Sequence, residues 1–167
     1  MDDPADAPSR IDDFGRALDG AGRTFAVAES LTGGSLSARF AAAGDSSSWY
    51  RGAVVSYSRS VKHHLLHVPK GPVVSETAVA AMAEGVCRAL DADVALAVTG
   101  AGGPDSQDGQ PPGTVWMAVH DRGAGTTVTR EVRFEGDPSE VVRSTCDEAV
   151  DWLLQQRRDA ASTSPAT

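Results

Sequence analysis

Three short stretches of the 167-residue chain hold residue types that can do chemistry, and each follows an apolar run. The first is Ala28-Glu-Ser-Leu-Thr-Gly-Gly34. It is a turn with a serine and a threonine beside paired glycines, leading into an Ala/Ser-rich segment, 35–43, with Leu36 and Phe40 at helical spacing. Glycines let the backbone approach a ligand closely, and a helix N-terminus offers unpaired N–H groups and a positive dipole end. Such a turn either exposes Ser30 as a nucleophile beside an anion-binding backbone, or uses Ser30 or Thr32 to cap the helix. No glycine stands two residues before Ser30, so this is not the G-x-S-x-G elbow of α/β-hydrolases, and no Walker lysine follows.

The second stretch, Tyr57-Ser-Arg-Ser-Val-Lys62, supplies what a serine hydroxyl lacks, a group to take its proton. Lys62 serves as a base only when neutral, which requires burial or a neighbouring cation. Tyr57 would relay a proton or hold the lysine; otherwise the pair is a surface lysine and a core tyrosine. The third stretch, Thr99-Gly-Ala-Gly-Gly-Pro104, follows the most hydrophobic run of the chain. It is either a cradle for a nucleotide phosphate or ribose, or a plain flexible turn, and it lacks the G-x-G-x-x-G dinucleotide spacing. His63 and His67 stand four apart, as two metal ligands on a helix would, but no His-Glu-x-x-His pattern or nearby carboxylate completes a site. Neither a metal nor a cofactor is expected.

These stretches need elements to hold them. Residues 24–28, 52–58 and 93–99 read as strands, and 114–120 and 126–134 as two more joined in a hairpin. Helical periodicity covers 10–21 and 35–43, a short segment around Lys62, Leu65 and Leu66, and a long helix after Ser75-Glu76. A last helix is capped by Asp137 or Ser139, and Gly44–Ser48 reads as a polar loop. Strands alternating with helices predict an α/β fold: a three-layer α/β/α sandwich with a mostly parallel sheet and an antiparallel pair at one edge. Ligands in such folds sit beyond the carboxyl ends of the strands, which is where all three stretches fall.

Composition sets outer bounds. The formal net charge is −8 and hydrophobic residues make up 41%, ordinary for a globular domain and opposite in sign to a phosphate-tracking nucleic-acid binder. Residues 1–13 concentrate Asp2, Asp3, Asp6, Asp12 and Asp13, and read as a solvated acidic head. The single domain is expected over 14–157, with a loose Ala/Ser/Thr/Pro tail over 158–167. No stretch reads as a signal peptide or membrane span, and Cys87 and Cys146 read as isolated core thiols in a reducing compartment, so a cytoplasmic protein is expected.

Taken in order, Ala28-Glu-Ser-x-Thr-Gly-Gly, Arg51-Gly-x-Val-x-x-Tyr-Ser-x-x-x-Lys62, Val74-Ser-Glu76, Ala97-Val-Thr-Gly-x-x-Gly-Pro104 and Pro112-Gly-Thr-Val-Trp116 resemble the CinA C-terminal domain family. That family includes stand-alone nicotinamide-nucleotide amidohydrolases, and the likeness runs from about Thr24 to Leu153. It implies metal-free hydrolysis of the carboxamide of nicotinamide mononucleotide to nicotinic acid mononucleotide and ammonia. Ser30 would be nucleophile, Lys62 its base and Tyr57 a neighbour that positions or relays. Thr32, Gly33 and Gly34 would bind substrate or the oxyanion, and Thr99, Gly100, Gly102 and Gly103 would line the nucleotide pocket. The resemblance also implies self-association, and the family equally includes domains accompanying competence and DNA-damage proteins, so a non-catalytic nucleotide-binding role or another amide substrate stands as the alternative. Against the family pattern, Leu31 replaces a cysteine, Arg59 an asparagine and Gln110 a lysine. Pro138 and Val142 stand where arginines are usual, leaving Arg143 to grip a substrate phosphate.

Overall fold

Phe25-Ala-Val-Ala-Glu29 (β1) is buried at every position, and its side chains alternate large and small. Phe25 and Val27 point to one face of the sheet, Ala26 and Ala28 to the other. The same alternation runs through Val94–Gly100 (β3), where Val94, Leu96 and Val98 oppose Ala95 and Ala97. A two-residue side-chain period on a sheet covered on both sides thus separates a bulky core from a shallow one.

The computed structural model of the protein describes residues 7–163. Its five strands, with Tyr50–Val55 (β2), Thr114–Asp121 (β4) and Thr126–Arg133 (β5), form one sheet in the order β2-β1-β3-β4-β5. The bulky face carries Ala7–Gly20 (α1), Ser35–Ala41 (α2), Ser46–Trp49 (α3) and Pro138–Thr163 (α6). Here Phe14 meets Phe25 edge-on at 5.1 Å, and Phe40 lies 4.8 Å from Phe25. The alanine face is covered by Glu76–Leu90 (α5), with Leu66 at the end of Arg59–Leu65 (α4) packed alongside. Among the described residues no helix is long and apolar enough to cross a membrane.

The expected three-layer α/β/α architecture is present, with one correction to the sheet. β1 pairs in parallel with β2 and β3, whereas β3–β4 and β4–β5 are both antiparallel, so half of the pairings are parallel rather than most. The reason is the Gly/Pro-rich connection 101–113, which holds no helix to cross the sheet, so β4 must return beside β3 in the opposite sense. Two boundaries also move. Residues 7–13, placed in the acidic head, form the first turns of α1 and bury Ile11; residues 1–6 lie outside the described residues. Residues 158–163, placed in the tail, continue α6, because nothing in that Ala/Ser/Thr run breaks a helix before the described residues end. The loop at 44–48 holds the start of α3.

Local signals account for the helix starts. The Ser75 hydroxyl accepts from the Ala78 N–H at 3.2 Å and opens α5. Asp137 accepts from the N–H groups of Ser139 and Glu140 while the Glu140 carboxylate accepts from the Asp137 N–H, a reciprocal box opening α6. The chain goes from β1 to β2 on one side and then to β3 on the other. Connections therefore leave β1 and β2 toward opposite faces, and the crevice at this switch point lies beyond the carboxyl ends of three adjacent strands.

Candidate active site

The turn after β1 is shaped by Glu29, a residue that motif reasoning passed over. Its carboxylate is fully buried and accepts from the Thr32 hydroxyl at 2.6 Å, the Gly34 N–H at 3.2 Å, and the Leu36 and Ser37 N–H groups at 2.9 Å each. The positive end of α2, expected to receive a substrate anion, is therefore filled by the chain's own carboxylate. Gly33 and Gly34 adopt φ of 56° and 107°, the left-handed conformations that fold the chain back over that carboxylate. The Gly33 N–H is spent on the Ser30 carbonyl at 3.1 Å. What stays free is the crown of the turn: the N–H groups of Leu31 and Thr32 have no acceptor among the described residues. The signal was in the sequence, a carboxylate four residues before the Gly-Gly pair that opens a helix.

Ser30 and Lys62, 32 residues apart, are brought into contact. Lys62 is 1% exposed, and its Nζ lies 2.9 Å from Ser30 Oγ and also donates to the Ser56 carbonyl just past β2. The geometry follows from the sheet. β2 lies directly beside β1, and Ser56 continues the pairing by donating its N–H to the Glu29 carbonyl at 2.8 Å. Ser58 then caps α4, accepting from the Val61 N–H at 3.3 Å, and the first turn of that helix points Lys62 back under the Ser30 turn. Burial pushes the ammonium down from 10.5 to about 8, with the nearby Arg59 cation adding to the effect and Asp108 opposing it. A measurable fraction of the amine is thus neutral near pH 7, and a neutral amine at 2.9 Å accepts the serine proton.

The other expected site residues divide. Thr99 reaches the same end of the sheet, but its hydroxyl donates to the Val73 carbonyl at 2.7 Å and so ties a loop rather than facing the crevice. At Gly100 a Cβ would meet the Thr114 carbonyl oxygen at 2.8 Å, so this glycine serves the β3–β4 contact. Gly102 borders the site, with Leu31 Cβ 3.9 Å from where its own Cβ would be, and Gly103 has φ of 85° ahead of a cis peptide to Pro104. Arg143 is exposed on α6, one turn before Asp147, whose partner Arg39 lies on α2; among the described residues it makes no hydrogen bond or ion pair with a site residue.

Tyr57 departs from expectation. β2 ends at Val55, before the tyrosine, and the side chain is 74% exposed without a hydrogen bond to Lys62 or Ser30. An edge strand paired only to β1 stops where β1 stops, so Tyr57 falls in the turn and the Ser56 carbonyl does the positioning expected of it. The histidines do not converge: His63 Nδ1 pairs with the Val68 carbonyl at 2.8 Å and His67 with Arg88. Cys87 and Cys146 are buried free thiols that burial pushes up to about 12 and 11, which keeps them protonated and inert.

A buried lysine against a serine, at the ends of three adjacent parallel strands and beside a glycine-rich loop, defines an α/β/α domain built around a serine–amine pair. Residues 9–157 match the family model described as the CinA C-terminal domain, and the chain belongs to that family. It is 42% identical over 157 residues to a CinA-like protein of Mycobacterium sp. (strain JLS), spanning 90% of this chain and 37% of that protein. A CinA-like protein of Geobacter sulfurreducens is 39% identical over 141 residues, 81% of this chain and 34% of the relative. The chain thus spans about a third of the length of these curated relatives. Among solved structures it is similar to the competence damage-inducible protein A from Klebsiella pneumoniae, with a TM-score of 0.84 and 34% identity over 91% of this chain and 97% of that one. The competence-damaged protein (CinA) superfamily protein from Escherichia coli gives a TM-score of 0.85 at 32% identity, covering 93% and 94%.

Proposed function

We propose that the protein is an amidohydrolase that releases ammonia from the carboxamide of nicotinamide mononucleotide, with Ser30 as nucleophile and Lys62 as its base. The observation that carries this reading is the 2.9 Å contact between a buried, pKa-depressed amine and a serine hydroxyl. In the forward step neutral Lys62 takes the Ser30 proton as Oγ attacks the carboxamide carbon. The free N–H groups of Leu31 and Thr32 stabilise the developing oxyanion. Collapse of the tetrahedral intermediate expels ammonia, which leaves with the proton held on Lys62, and an acyl ester remains on Ser30. A water activated by the same amine then hydrolyses the ester and frees the carboxylate. General-base assistance of this kind is worth about 10²–10⁴ in rate. Exposed Tyr57 directly follows Ser56, whose carbonyl holds Lys62, and its aromatic face would suit the flat pyridine ring.

The test is ammonia release by purified protein incubated with nicotinamide mononucleotide. Activity lost in both Ser30→Ala and Lys62→Met, with circular dichroism unchanged, supports the reading; near-wild-type turnover in Ser30→Ala overturns it. A second reading, a domain that holds a nucleotide without cleaving it, is favoured by Gln110 and Val142 standing where the family resemblance places cations. Mononucleotide binding seen by calorimetry without ammonia would select it.

A further inference from the structure

Arg59 lies one helical turn before Lys62 on α4 and is half-exposed, yet its guanidinium is engaged at two points. One nitrogen donates to the Gly71 carbonyl at 3.1 Å, and the other forms an ion pair with Asp108 from the 101–113 connection. The Asp108 side chain is only 8% exposed, and its second oxygen accepts from the N–H groups of Val73 at 2.7 Å and Val74 at 3.1 Å. Val73 is the residue whose carbonyl holds Thr99. One aspartate thus gathers the lysine-bearing helix, the 71–74 loop and the glycine-rich loop, which otherwise share no regular structure. Asp108 adopts φ of 53°, a left-handed conformation uncommon outside glycine, and here its side chain is held at both oxygens.

We propose that Arg59 and Asp108 are positioning residues, a charged clasp that fastens the glycine-rich loop to α4 and balances the electrostatic field at the Lys62 amine. This rests on the serine–lysine reading above. The ionisable groups around that amine are few. α4 carries Arg59, His63 and His64, and the β1–α2 turn carries Glu29, whose carboxylate accepts from four donors of its own turn and helix. The loop contributes Asp108 and the more exposed Asp105, and on α5 Glu84 accepts from Thr127 of β5 while Arg88 pairs with His67. Of these, Arg59 pushes the amine toward its neutral form and Asp108 toward its charged form. The two partners therefore act on Lys62 in opposite senses, although removing either one breaks the same clasp.

That opposition separates tuning from mere structural support. The Lys62 titration is followed by NMR of lysine side chains carbon-labelled at Cε, in wild type, Arg59→Ala, Arg59→Lys and Asp108→Asn. Arg59→Ala is expected to raise the midpoint by about one pH unit and Asp108→Asn to lower it by a similar amount, with Arg59→Lys near wild type. Ammonia-release profiles should show the acid limb moving with each midpoint, and kcat/KM falling about tenfold in both Arg59→Ala and Asp108→Asn as the loop loosens. Unchanged midpoints, or movement in one direction for both variants, overturn the proposal. Should wild-type protein release no ammonia at all, the amidohydrolase reading falls while the lysine titration still decides the clasp.

Discussion

The Glu29 carboxylate and the Thr32 hydroxyl, three residues apart, meet at 2.6 Å in a fully buried position beneath the Ser30 turn. Thr32 is thereby turned away from any ligand, and the turn is held from inside. Glu29→Gln would set an amide N–H₂ against N–H donors of α2 that now share a carboxylate. We expect a loss of about 2–3 kcal/mol in urea denaturation, against about 1 kcal/mol for Thr32→Val, which removes one bond of the set. Equal and small effects would show that the carboxylate does not hold the turn.

Replacing the buried amine should trade activity for stability. With its pKa lowered from 10.5 to about 8, Lys62 binds a proton more weakly in the folded chain than in the unfolded one. Its charged form thus costs about 3 kcal/mol of stability below pH 8, a cost that disappears as the pH rises from 8 to 10.5. Lys62→Met removes that cost but leaves Ser30 and Ser56 without a donor, about 1 kcal/mol each. The inactive variant should be more stable than wild type at pH 6 by about 1 kcal/mol and less stable at pH 10.5. Thermal melts at the two pH values report the crossing, and a constant difference would contradict a depressed lysine.

The same lysine sets the pH dependence of turnover. On nicotinamide mononucleotide, kcat/KM should climb about tenfold per unit up to pH 8 and level off above it, because only the neutral amine accepts the serine proton. A plateau reached below pH 6 would assign the limb to another group.

Gly85 offers a test far from the substrate. A Cβ there would stand 2.2 Å from the carbonyl oxygen of Leu66, the residue that ends α4 four positions after Lys62. Alanine ordinarily gains about 1 kcal/mol over glycine inside a helix, but a backbone atom cannot step aside as a side chain would. We expect Gly85→Ala to lower stability by about 2 kcal/mol or more and to lower kcat with it, as α4 is pushed off α5 and Lys62 is carried away from Ser30. Wild-type kcat with reduced stability would mean that α4 absorbs the shift beyond the lysine.

Sequence patterns located the three loops because each follows a run of buried strand, and strand ends in an α/β sheet are where sites form. They offered Lys62 as one base within reach of a strand end, the family resemblance joined it to Ser30, and the sheet order supplied the contact. They missed the sense of β4, since the turn-rich stretch 101–113 reads alike for a hairpin return and a crossover. They also missed Glu29, whose role depends on four donors that only the folded turn assembles. Tyr57 was placed in a strand because its β-propensity continued the run, yet an edge strand ends with its partner. The clasp at Arg59 and Asp108 joins residues 49 apart through an exposed loop, and no local periodicity marks such a pair.

The central place of β1 also orders events during synthesis. The strand that leads into the Ser30 hydroxyl is made early, but its second neighbour, β3, is not complete until residue 100 has emerged. A nascent chain halted near residue 70 already carries Ser30 and Lys62, yet it lacks α5, which packs against Leu66 at the end of α4, and the loop whose Asp108 pairs with Arg59. In such a fragment the amine is expected to stay hydrated and protonated, so on the proposed reading Ser30 would gain its base only when the later half of the polypeptide arrives.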